Sequence, residues 1–163
     1  MREHLAGRTP RLTAYFCGIA LGLALLVAGM EAARVLLVGE LPTTVSLGVA
    51  AVGVLGGLLL SYVAGYLNGS LVASWAGGTV PAAGRLGAPL VDGRLREIVL
   101  AVVGAAGAGV LLGTVGFVVA VEKHRHDART ADLPEPATRV ELLELVAVSV
   151  LVGVALAVLP LYL

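Results

Sequence analysis

Residues 53–65 read GVLGGLLLSYVAG, an apolar run in which Gly53, Gly57, Ser61 and Gly65 recur at every fourth position. Glycine inside a water-exposed helix costs about 1 kcal/mol relative to alanine. Its recurrence at helical spacing therefore needs a packing reason. On a helix, residues four apart form one inclined row, and with Gly69 this row is nearly free of side-chain bulk over about 18 Å from Gly53 to Gly65. Lipid offers no hydrophobic drive for helices to associate. Small residues there let backbones approach and gain dispersion contact.

The surroundings of the row support a membrane setting. Of 163 residues, 58% are apolar and 13% charged, about half the charge of an average soluble domain. No Lys, Arg, Asp or Glu occurs in 12–30, 45–67, 98–121 or 145–163, windows of 19, 23, 24 and 19 residues. About 20 apolar residues cross a bilayer's hydrocarbon core. The expected fold is all-α: one domain, a bundle of four transmembrane helices over roughly 12–38, 44–67, 96–121 and 140–163, mainly up-and-down, with a polar loop at 122–139.

Local signals agree with these boundaries. Thr9-Pro10 and Pro42-Thr43-Thr44 suit the first two helix starts, Asp92 is placed to cap the third, and Thr138-Arg139-Val140-Glu141 fits a capping box. The segment from Asn68 to Val91 is too rich in small apolar residues for a solvated loop. It is expected to be ordered, lying on the membrane surface or over one end of the bundle. With four spans both termini face one side, and His4 faces the side opposite His124 and His126. The basic residues then divide six to five. The cluster Arg2, Arg8 and Arg11 before the first helix favours both termini in the cytoplasm of a multi-pass cell-membrane protein. One lysine against ten arginines points to a GC-rich prokaryotic genome.

Candidate chemistry is sparse. Glu31 and Arg34 are three apart and can pair. About 28 Å of helix separates Leu12 from Glu31, which brings the pair to the far interface. Glu141 and Glu144 suit the first turn of a helix, complementing its dipole. His124 and His126 form an H-x-H pair without the three or four ligands zinc needs, and are read as solvated. The Asn68-Gly69-Ser70 sequon is read as chance, and Cys17, the single cysteine, as an apolar filler. No catalytic or phosphate-binding motif is present. The balanced charge, eleven basic against eleven acidic residues, gives no reason to expect nucleic acid. No enzyme activity, cofactor or metal is expected. The expected partners are the bilayer and a second membrane helix.

Span three carries a second small row, Ala101, Ala105, Gly109 and Gly113. The 53/57/61/65 face is expected to meet it directly at close backbone approach. The function expected from these features is association: an accessory or scaffolding subunit, or a homo-oligomer. The alternative is a small oligomeric transporter or channel using Glu31 and Arg34.

Overall fold

The computed structural model describes residues 2–129 and 137–163, with side chains from His4 onward. Its helices in chain order are α1 (Arg2–Ala6), α2 (Pro10–Leu37), α3 (Thr43–Asn68), α4 (Leu71–Thr79), α5 (Gly87–Asp92), α6 (Leu95–Asp127) and α7 (Arg139–Val158). Two 3₁₀ turns, Pro81–Leu86 and Leu159–Leu161, complete the description, and no strand occurs among the described residues. Helices α2, α3, α6 and α7 are long and apolar enough to cross a membrane. Their outer faces are apolar: Leu25, Val52, Leu55 and Leu151 are each at least 66% exposed.

Most expected boundaries hold. Thr9 precedes α2 with Pro10 in its first turn, and the capping box before α7 is complete, with Thr138 and Glu141 each bonding the other's backbone. Asp92 instead ends α5, and Arg94 is the N-cap of α6. Helix α6 continues to Asp127, so the start of the expected polar loop is helical, while 130–136 lie outside the described residues.

The course of the chain departs from an up-and-down bundle of four. Gly69, in the left-handed region at φ 64°, ends α3 and turns the chain back. Ser70 caps α4 by accepting from the Ala73 N–H. Helix α4 then descends beside α3: Ser74 reaches Ser61, Gly77 lies against Leu60 and Ser61, and Pro81 lies against Gly57 and Gly53. Gly84 and Gly87 continue down α2 to Val27 and Glu31. Residues 71–92 thus run from one end of the bundle to the other as a broken helix, filling the space among α2, α3 and α6. This is a fifth traversal.

Two consequences correct the four-span expectation. Helices α3 and α6 are parallel, with Gly65 beside Phe117 and Ala120, and Tyr66 bonded to Asp127. The termini also lie at opposite ends of the bundle: Arg8 is joined to Asn68 and His124, whereas Pro160 sits by Gly104 near the start of α6. The Asn68–Val91 segment is ordered, but it crosses the bundle instead of covering an end.

The two small rows consequently clasp the broken helix. Gly57 faces Pro81 and Gly77, whereas Gly109 and Gly113 face Thr79, Ser74 and Trp75. Direct contact between α3 and α6 occurs one turn higher, where Gly116 meets Ser61 and Tyr62, and Gly65 meets Ala120. Ala105 is buried, Ala101 is half-buried and Gly53 touches only the Pro81 ring. The expected direct meeting of the rows fails because α4 occupies the gap that four absent side chains leave.

Candidate functional site

The densest group of polar side chains lies at the end of the bundle shared by the N-terminus and the C-terminal turns of α3 and α6. Asn68, fully buried, organises it. Its Oδ1 accepts from the Thr9 N–H at 2.9 Å, and its Nδ2 donates to the Thr9 carbonyl at 3.2 Å and Thr13 Oγ1 at 2.7 Å. The Arg8 N–H donates to the Asn68 carbonyl at 2.8 Å, and Ser70 Oγ donates to the Leu5 carbonyl at 3.3 Å. A buried amide left unbonded would cost about 1–3 kcal/mol. These bonds therefore fix the entry of α2 against the exit of α3.

Above this joint, the Arg8 guanidinium donates through Nη2 to His124 Nε2 at 3.0 Å. His124 is 5% exposed, and its ring meets Tyr66 edge-on with centroids 5.6 Å apart. Tyr66 donates to Asp127 at 2.8 Å, and Asp127 pairs with Lys123 at 2.5 Å. His4 lies 3.9 Å from Glu141 on α7. A cavity of about 10 Å³ lies among His4, Arg8, Gly65, Phe117 and His124, at the lower limit of the space one water needs.

This geometry revises two expectations and agrees with the reading of the Asn68 sequon as chance. His124 is buried instead of solvated, while His126 is exposed. His4 and His124 line one cavity, because the fifth traversal returns α6 to the N-terminal end. Asn68 is a buried structural amide, closed to modification. Its importance left one local trace, the αL turn that Asn-Gly favours. Its partners at Arg8, Thr9 and Thr13 are more than fifty positions away.

Glu31 and Arg34 sit near the opposite end. Arg34 donates to Glu31 Oε1 through Nε at 3.0 Å and Nη2 at 2.6 Å, and also to the Gly39 carbonyl. Both side chains are about a third exposed, and Glu31 packs on Gly87. The pair braces the end of α2 and the α2–α3 turn. It does not face the His124 group.

At mid-bundle the broken helix is held by hydroxyls. Ser61 Oγ donates to the Ser74 carbonyl and Ser74 Oγ to the Ser61 carbonyl, each at 2.8 Å, with both serines fully buried. Trp75 Nε1 donates to Thr114 Oγ1 at 3.1 Å. An apolar groove of about 320 Å³ between α6 and α7 is lined by valines 115, 118, 119, 146 and 150. Among the described residues no three His, Cys, Asp or Glu side chains are grouped to hold a metal.

No protein-family model matches the chain, and neither a curated protein nor a solved structure matches it.

Proposed function

We propose that this chain is an integral membrane protein of five traversals that acts by association with a second membrane helix, its own or a partner's. One observation carries this. From Thr43 to Gly56, α3 is exposed at every position except half-buried Gly53, although it is apolar and carries Thr44, Gly48 and Gly56 in one row, with Val52 as its one larger member. A Cβ added at Gly48 or Gly56 meets nothing within 4 Å. Beyond Gly53 against the Pro81 ring this half-helix is left exposed, and small residues are what a close helix–helix contact in lipid uses. The mid-bundle hydroxyls and the Asn68 amide, by contrast, are bonded internally. That arrangement supports a packed scaffold over a solute path.

The five-traversal course also bears on the proposed orientation. Arg2, Arg8, Arg11, Lys123, Arg125, Arg129 and Arg139 fall toward the N-terminal end, and Arg34, Arg85, Arg94 and Arg96 toward the other. The eleven basic residues now divide seven to four. Positive charge concentrates on the cytoplasmic side, which supports an N-terminus inside and a C-terminus outside.

Energy transfer between differently labelled copies in lipid vesicles, measured as lipid is added, tests association, with co-purification in mild detergent covering a foreign partner. Leucine at Gly48 or Gly56 is expected to weaken the association at least tenfold and leave the Trp75 emission of the folded chain unchanged. A monomeric chain with no co-purifying helix would refute the proposal. The second reading, a transporter or channel, draws its support from the broken helix, since interrupted helices line many transport sites. Solute flux in liposomes that collapses in Glu31→Gln would establish it instead.

A further inference from the structure

We propose that Arg85 holds the phosphate of an anionic glycerophospholipid, so that the fifth traversal carries a lipid-headgroup site near the C-terminal end of the bundle. The inference rests on the reading of the chain as a membrane protein of five traversals, and not on its association. Arg85 is the single charged residue between Gly69 and Val91. It lies in the 3₁₀ turn Pro81–Leu86 that leads into α5, and it is exposed. The register along α2 gives its depth. A Cβ at Gly84 would lie 3.8 Å from Val27 Cγ1, and one at Gly87 would touch Glu31. Arg85 therefore leaves the traversal between the levels of Val27 and Glu31, at most about 6 Å deeper than Glu31. The surface at that level is apolar: Ala88 and Leu90 on α5 are exposed, as are Leu26 and Met30 on α2.

A guanidinium in such a setting needs an anion. Arginine within a membrane-spanning segment is rare, and it either pairs or carries its head to the interface on its apolar stem. The chain itself supplies no counter-charge. Glu31 is held by Arg34, and Asp92 and Glu97 are both held by Arg94. Glu40, the remaining carboxylate at this end, lies in the exposed turn between α2 and α3. Arg85 has neither an ion pair nor a hydrogen bond among the described residues. Within one helical turn of Glu31, its head reaches the level of the lipid phosphates. The planar fork of a guanidinium matches phosphate oxygens with two parallel N–H bonds. A headgroup that lacks an ammonium leaves the phosphate charge unbalanced, so phosphatidylglycerol is favoured over phosphatidylcholine. The same depth, close to the headgroups and away from mid-membrane, favours lipid phosphate over a carboxylate on a partner helix.

Native mass spectrometry of the full chain released from detergent micelles, titrated with either lipid, tests the site. Wild type should retain one phosphatidylglycerol at least about tenfold more tightly than phosphatidylcholine, the effect of one charged hydrogen bond. Arg85→Gln should remove this preference with Trp75 emission unchanged, and Arg85→Lys should keep part of it. Arg96→Gln removes an exposed guanidinium from the first turn of α6 and should lower the preference by no more than about fivefold, as for one surface charge. Equal losses in Arg85→Gln and Arg96→Gln, or a preference that survives Arg85→Gln, overturn the site. Displacement of the lipid by excess inorganic phosphate would also overturn it, in favour of a free-anion site. Self-association that weakens in Arg85→Gln while lipid binding persists would assign the counter-charge to a partner's carboxylate instead. Depth is measured separately in lipid vesicles, with Cys17→Ser removing the native thiol. Arg85→Cys should react with a water-soluble maleimide far more slowly than Arg96→Cys. Equal rates would refute the traversal itself, whereas slow labelling without a lipid preference would refute the lipid site alone.

Discussion

Replacing Gly113 by alanine tests whether the broken traversal is truly gripped between the small rows. A Cβ at this position falls within van der Waals contact of the Ser74 carbonyl and the Trp75 Cα. Both are backbone atoms of α4, which cannot rotate away as a flexible side chain would. Restoring an ordinary separation of roughly 3.5 Å requires α4 and α6 to part by about 1 Å along much of their shared length. Overpacking of this kind costs typically 1–3 kcal/mol. Because the contacts are with backbone, the upper part of that range, about 2–3 kcal/mol, applies; alanine returns about 1 kcal/mol of helix propensity, so the net loss is about 1–2 kcal/mol. Gly48→Ala is the counterpart, since a methyl there meets nothing within 4 Å. It should be neutral or stabilising by up to about 1 kcal/mol. Trp75, the chain's single tryptophan, lies beside Gly113 and bonds Thr114. Its emission during reversible unfolding in mixed detergent–SDS micelles therefore reports stability and local packing together. Equal midpoints for wild type and Gly113→Ala, with unshifted Trp75 emission, would refute the grip; so would a loss at Gly48→Ala as large as that at Gly113→Ala.

Reporter fusions at the two termini should show the N-terminus inside and the C-terminus outside; both on one side would eliminate the fifth traversal. Removing one hydroxyl of the reciprocal serine pair, Ser61→Ala or Ser74→Ala, should destabilise by about 0.5–1.5 kcal/mol. The double variant should lose about the sum, because each hydroxyl bonds the other residue's backbone carbonyl, which either substitution leaves in place; a loss far short of the sum in the unfolding cycle would contradict two separate bonds. Asn68→Ala removes three side-chain bonds and should cost about 1–3 kcal/mol, with faster hydrogen exchange at the Thr9 N–H. Unchanged exchange there would show that Asn68 does not hold the entry of α2. Protease added to the folded protein should cut the Gly77–Arg85 stretch no faster than the interior of α6; rapid nicking would contradict its burial.

The four long helices were legible in the sequence because a bilayer's demand is compositional. Each charge-free window must be about as long as the hydrocarbon is thick, and Thr138 and Glu141 formed their capping box from residues three apart. The Glu31–Arg34 pair was legible for the same reason, since one helical turn brings the two together. Residues 69–91 carry a single charge, Arg85, and are long enough to cross. Their glycines and Pro81 break the periodicity that marks a helix, so the crossing could not be counted. Tertiary structure decided it. Irregular backbone inside an apolar bundle needs partners for its polar groups, and here α2, α3 and α6 provide the wall while Ser61 and Ser74 bond each other's carbonyls. The sequence set the small rows on their faces, but a row of absent side chains specifies a gap and not its occupant. The cluster around His124 was beyond local reading altogether. Arg8 and His124 are 116 residues apart, and an odd number of traversals, set by that one broken segment, is what brings them to the same end of the bundle.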